Sequence, residues 1–163
     1  MDKNSNSLLI FSVGEQKYAL YLSVVERVVR IVEITPLPES PEEVAGVIDL
    51  EEQIIPVFDM RKKLNLPARD LNLLDQLIIA NTSRRRVALW VENVNDVEVT
   101  AEDEIVSGHK ILAGMEHIDG VVKLKNSDIA LIYNLDRFLH FDDEKKLHKL
   151  LDKKKKEKTT KKK

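Results

Sequence analysis

The chain predicts an all-β fold, a barrel or a sandwich, and three observations carry the prediction. About ten short apolar runs are separated by turn residues before residue 140. β-Branched residues crowd these runs: residues 24–34 hold seven Val or Ile in eleven positions, and restricted χ1 freedom favours strand over helix there. No long helical periodicity precedes residue 140. Two apolar hairpin sets of similar size suggest two subdomains, although no clear sequence repeat relates them.

Each element follows in order. Residues 8–13 read as a first strand, Gly14-Glu15 as a turn, and residues 18–22 as the returning strand of a hairpin. A helical turn at 23–25 leads into the β-branched strand. Pro36, Pro38 and Pro41 impose an extended connector. Residues 41–44 predict the first turn of a short helix, with Ser40 as N-cap and Glu42 and Glu43 at its positive end. Two apolar runs then flank Glu51-Glu52. Pro56 lies inside the second run, where it donates no ladder hydrogen bond, so an edge or bulged strand is expected. Asp59 is placed to cap a short helix at 60–64. Residues 76–80 and 86–91 form strands joined by a polar loop, and 94–99 alternate. Residues 101–117 are polar, contain Gly108 and Gly114, and predict a mobile excursion. Residues 118–124 and 129–135 form a last hairpin through 125–128, and 135–139 a closing helical turn.

Composition excludes several function classes. Cysteine is absent, which removes disulfides, thiolate metal sites and thiol nucleophiles. No apolar run approaches the roughly 18 residues of a membrane span. The polar start, residues 1–7, lacks a signal core, so a cytoplasmic location is expected. The net charge of −2 conceals a division: residues 1–141 carry −8 and residues 142–163 carry +6. An acidic body disfavours nucleic acid, whose affinity depends on clustered Lys and Arg.

Candidate chemistry is sparse. His109, Glu116 and His117 share one loop but match no strong metal-ligand spacing. No Gly-rich phosphate loop, nucleophile elbow or HExxH helix is present, so no cofactor and no catalytic residue are assigned. Asp59 and Asp136 each follow a strand, and helix N-capping explains them better than acid–base work. Trp90 is expected in a core. Arg84-Arg85-Arg86 is either a docking point for an acidic partner or a solvated turn.

Six segments stand together in order. They are Phe11-x-Val13-Gly14-x-x-x-Tyr18-Ala19-Leu20, Gly46-Val47-Ile48-Asp49-Leu50, Ile55-Pro56-Val57-x-Asp59-Met60-Arg61, Ala88-Leu89-Trp90-Val91-Glu92-x-Val94-x-Asp96-Val97-x-Val99, Ile118-x-Gly120-Val121, and Ile129-Ala130-Leu131-Ile132-Tyr133-Asn134-Leu135-Asp136. Together they resemble the CheW-like chemotaxis coupling domain over residues 7–140. The resemblance implies two intertwined five-stranded SH3-like barrels and a non-enzymatic adaptor. Its implied partners are a chemoreceptor cytoplasmic tip and the regulatory domain of a CheA-type histidine kinase. By family position, Val25, Arg27, Gly46, Glu51 and Glu52 mark the receptor-binding side. Residues 1–6 are expected to be disordered.

The chain departs from the family at two of those positions. Where the family usually has Asn-Leu-Arg-Gly, this sequence has Asp49-Leu50-Glu51-Glu52; where it usually has Val-x-Glu-Ile, this sequence has Val25-Glu26-Arg27-Val28. The two sign changes are complementary, so Arg27 and Glu51 are expected to form one cross-strand pair of swapped polarity; independent drift on a solvated face is the plainer explanation. Glu52 replaces a glycine at a turn, where Gly tolerates positive φ and Glu rarely does.

Beyond the body, Leu147, Leu150 and Leu151 stand at helical spacing, predicting a short amphipathic helix over 141–152. The charge block from Lys153 to Lys163 is expected to be disordered. It is a solvated tail or a peripheral contact to an anionic membrane surface. A basic-tailed membrane- or nucleic-acid-associated β-barrel is the alternative to the adaptor.

Overall fold

The computed structural model describes residues 5–108, 117–139 and 151. Eleven strands form two sheets. In chain order they are β1 (Ser5–Val13), β2 (Gln16–Tyr21), β3 (Val25–Arg30), β4 (Val44–Leu50), β5 (Gln53–Asp59), β6 (Gln76–Asn81), β7 (Arg86–Val91), β8 (Asn93–Ala101), β9 (Val106–Ser107), β10 (Ile118–Lys123) and β11 (Ile129–Tyr133). Two short helices, α1 (Met60–Lys63) and α2 (Leu135–Phe138), follow β5 and β11.

The first sheet runs β8-β1-β2-β11-β10-β9 and the second β3-β6-β7-β5-β4. The chain therefore begins the first sheet, builds all of the second, and returns to finish the first. Each sheet joins two antiparallel hairpins through one parallel pair, β2 with β11 and β5 with β7. The correspondence extends to detail. Register shifts occur between Val44 and Gly46 on β4 and between Ile118 and Gly120 on β10. Side-chain caps open the helix after each parallel strand, from Asp59 and Asn134 respectively. The two expected subdomains are thus one five-stranded plan used twice, with β9 added to the first.

Strands buried on both faces account for the unbroken apolar runs. Leu8 and Ile10 pack with Val122 and Ile132 inside the first sheet, while Leu9 and Phe11 join a cluster shared by both sheets. In the second sheet Leu77 and Ile79 pack with Ile48 and Val57, and Ile78 and Ala80 face the shared cluster. Three cores result, one for each sheet and one between them.

Several expectations need correction. β1 starts at Ser5, within the expected disordered residues 1–6, because Ser5 and Asn6 pair with Ala101 and Thr100 of β8. Residues 41–44 form no helix. Val44 N–H donates to Pro41 O at 3.0 Å, closing a turn, and the Ser40 hydroxyl donates to Leu37 O rather than capping. β5 is interior, not an edge. Pro56 lies opposite Val47, whose own N–H and C=O bond outward to Thr35, and the β5–β7 ladder begins only at Val57. The missing donor therefore interrupts no ladder, and the bulge falls on β4. β3 ends at Arg30, four residues short of expectation. Within the expected excursion at 101–117, β9 pairs with β10; residues 109–116 lie outside the described residues. Asn134, not Asp136, caps α2, accepting from Arg137 N–H, while Asp136 accepts from Ser83 N–H and hydroxyl at 2.7 and 2.9 Å.

A buried charge network ties the loops beneath the sheets. Asp75, 2% exposed, accepts from both terminal nitrogens of Arg69 at 3.2 and 2.7 Å, from Asn72 N–H at 3.0 Å and from Trp90 Nε1 at 2.9 Å. Glu92 accepts from Arg61, from Arg69 Nε at 3.1 Å and from Gly14 N–H at 3.1 Å. Trp90 is half-buried against the core of the second sheet, so its indole both packs and donates. Of the expected amphipathic helix at 141–152, only Leu151 is described; it is helical and buried in the shared cluster. Residues 153–163 lie outside the described residues.

Candidate functional site

Of the five positions singled out by sequence, the structure brings Arg27 and Glu51 into contact, whereas Gly46 lies within β4, opposite Val57. Glu51 and Glu52 form the two-residue connection between β4 and β5, which pair from Leu50 with Gln53. Both have positive φ, 53° and 66°, the geometry of a type I′ turn, which favours Asn and Gly. Glu52 thus keeps the left-handed conformation that glycine would adopt more readily. Glu52→Gly is expected to stabilise the protein by about 0.5–1 kcal/mol. A urea unfolding series measures it; no gain would mean the turn relaxes to another conformation when glycine is present.

Arg27 does meet Glu51: its guanidinium donates to the Glu51 carboxylate. The contact is not a cross-strand pair, however, because β3 and β4 are opposite edges of the sheet. A register shift on β3 falls between Val25 and Arg27, and the Arg27 side chain reaches the turn between β4 and β5. There Arg27 also stands beside Glu26, and Glu51 beside Arg86, which the sequence marked only as part of a basic run.

Arg86, the first residue of β7, lies beneath the pair, its side chain 14% exposed against 61% for Glu51. It donates to Glu26 and, through Nη1, to Gln53 Oε1 at 2.8 Å; its Nη2 stands 3.6 Å from Glu51 Oε2. Arg27 Nε also stands 3.7 Å from Glu26 Oε2. Two arginines and two glutamates thus form a closed ring in which each charge touches both opposite charges. Hydrogen bonding from Arg86 holds the Glu26 carboxyl below its ordinary range. The neighbouring surface is an open depression of about 620 Å³ lined by Glu26, Glu51, Gln53, Asn81, Thr82, Ser83 and Arg84 to Arg86.

Gly46 differs from the other four because it is buried. The connector crosses directly over it: Thr35 N–H donates to Val47 O at 2.9 Å and Val47 N–H to Thr35 O at 2.8 Å. A Cβ on Gly46 would lie 2.2 Å from Thr35 O, and its φ is 149°. Gly46 therefore fixes the path of β4 against the connector and offers no exposed surface. Val25 is half-buried on the edge strand.

None of this is catalytic geometry. His117 stacks on Tyr133 with centroids 5.6 Å apart, while His109 and Glu116 lie outside the described residues. Among the described residues no group of three potential ligands could hold a metal, and no helix is long and apolar enough to cross a membrane.

A family model, the CheW-like domain, matches residues 7–142. The chain belongs to the CheW-like family. It is 24% identical over 131 residues to the chemotaxis protein CheW of Treponema pallidum, covering 77% of each chain. To CheW of Rhizobium meliloti it is 25% identical over 134 residues, covering 81% of this chain and 86% of that one. The crystal structure of the scaffolding protein TtCheW from Thermoanaerobacter tengcongensis superposes with a TM-score of 0.77 at 27% identity, covering 85% of this chain and 94% of that chain. The fold is accordingly the CheW all-β, SH3-like arrangement. This CheW-like protein is a non-enzymatic adaptor of chemotaxis signalling.

Proposed function

We propose that this chain couples the cytoplasmic tip of a chemoreceptor to the regulatory domain of a CheA-type histidine kinase in the cytoplasm. The receptor-facing side comprises Val25, Arg27, Glu51 and Glu52, with Gly46 fixing the path of β4. One observation carries the assignment of this face. Arg27 and Glu51, whose signs are both reversed from the usual family pattern, still contact one another at the exposed end of the second sheet. Exposed pairs of this kind add only about 0–1 kcal/mol to stability. The attraction within the pair is the same in either polarity, whereas reversing it inverts the local field presented to a partner, which governs partner choice. The protein is read as a coupling protein matched to a receptor of complementary charge pattern.

Calorimetric titration of the full chain against the regulatory domain of the chemotaxis kinase from the same cell tests the reading. Saturable binding of roughly micromolar affinity is expected, as for transient signalling interfaces. Absence of binding would overturn the coupling role. Heat that vanishes on removal of residues 152–163 and falls steeply with salt would assign binding to the tail instead.

A further inference from the structure

The exposed Arg27–Glu51 pair does not stand alone, and its surroundings fix which way round it can be. Arg86 sits beneath Glu51 and Glu26 lies beside Arg27, each touching both opposite charges of the ring. We propose that Glu26 and Arg86 lock the polarity of the Arg27–Glu51 pair and are thereby specificity-determining residues of the receptor-facing surface, a step that rests on the function proposed above.

The argument is one of signs. Exchanging only the exposed residues, R27E with E51R, leaves that pair attractive. It also brings the glutamate at position 27 against Glu26 and the arginine at position 51 against Arg86. Two of the four contacts in the ring turn from attraction to repulsion. Arg86 cannot readily swing away. It begins a central strand paired through Asn81 on one side, its side chain is mostly buried, and its Nη1 is held by Gln53. A guanidinium also stays charged at any accessible pH. The two exposed positions thus cannot revert to the usual family polarity without cost while the two residues around them remain.

Four full-length proteins test this: the natural chain, R27E/E51R, E26Q/R86Q, and the combination of all four substitutions. In the natural background the exchange is expected to lower the urea midpoint by about 0.5 M, the scale of a few charge contacts for a protein of this size. In the E26Q/R86Q background the same exchange is expected to leave the midpoint unchanged. The difference between the two effects should shrink in 1 M salt, where the screening length falls to about 3 Å. A merely structural role for Arg86 would instead give the same shift in both backgrounds, and that result, or no shift in either, overturns the lock. Should the exchanged protein fail to fold in the natural background yet fold in the neutral one, the lock is supported.

The same proteins titrated with a soluble receptor signalling-tip fragment separate this idea from the functional reading on which it rests. The exchange in the neutral background is expected to change tip affinity about tenfold or more. Unchanged affinity with intact tip binding by the natural chain would overturn the specificity role alone, whereas no tip binding by the natural chain would overturn the receptor-facing assignment on which it rests.

Discussion

Gly46→Ala is expected to destabilise the protein by about 2–4 kcal/mol and to disturb the Glu51-Glu52 turn without touching any of its charges. The cause is the approach of two backbones. A Cβ at this position would meet Thr35 O at 2.2 Å, Thr35 C at 2.7 Å and Ile34 Cγ2 at 2.9 Å. The first two are main-chain atoms, so no rotamer change relieves the overlap. The Thr35–Val47 bridge must open, or β4 must shift relative to the connector at Ile34 and Thr35. Either response shifts Leu50 and the Glu51-Glu52 turn that β4 carries. Urea unfolding measures the loss, and amide exchange at Thr35 and Val47 locates it. Near-native stability together with protected Thr35 and Val47 amides would show that the crossing is looser than described.

Asp75→Ala is expected to cost about 3 kcal/mol, lowering Tm by roughly 6–12 °C in a chain of this length. Asp75 is the most buried carboxylate described and the shared acceptor for Arg69, Asn72 N–H and Trp90 Nε1. Its removal strands the indole N–H and leaves Arg69 to Glu92 among the acidic side chains described. Asp75→Asn retains acceptors for part of this set and is expected to cost about half as much. The effect should depend on pH with a definite sign. Burial pushes the Asp75 carboxyl up, but hydrogen bonds from Arg69, Asn72 and Trp90 outweigh it and hold the group below its ordinary range. Burial of Glu92 is likewise outweighed by hydrogen bonds from Arg69 and Arg61. A carboxyl whose folded pKa is depressed contributes stability that is fully present above its unfolded pKa, about 4, and is lost as pH falls toward the folded value. The gap between the natural chain and Asp75→Ala should therefore be full at neutral pH and narrow steadily in acid. A gap that persists unchanged at pH 3 would mean that Asp75 acts by packing rather than by charge.

The short-range code of this chain is legible because its rules are local. Asp59 caps α1 as its position before Met60 implies, accepting from Arg61 and Lys62 N–H. The double-sided burial of 8–11 and 77–80 follows from apolar runs without alternation. Local rules mislead where a distant segment intervenes. Residues 41–44 look like a helix start, yet Val44 is drawn into β4, with Asp59 N–H bonded to Glu43 O. Pro56 looks like an edge residue, yet its strand is interior, because the N–H it lacks would have fallen where no ladder runs.

By itself the sequence determined that this is an all-β member of the CheW-like family, that it has no thiol chemistry, and that the charges at positions 27 and 51 are reversed from the usual family pattern. These properties depend on residue identity and order. Only the tertiary structure decided that Gly46 serves the backbone rather than the surface, that the two halves repeat one plan, and that the Arg27–Glu51 contact is closed into a ring by Arg86 and Glu26. The reason is separation along the chain. Arg86 lies 60 residues from Glu26, and no periodicity or spacing rule reaches that far. Strand pairing brings them together, and only then does a reversed pair become a closed ring of charge.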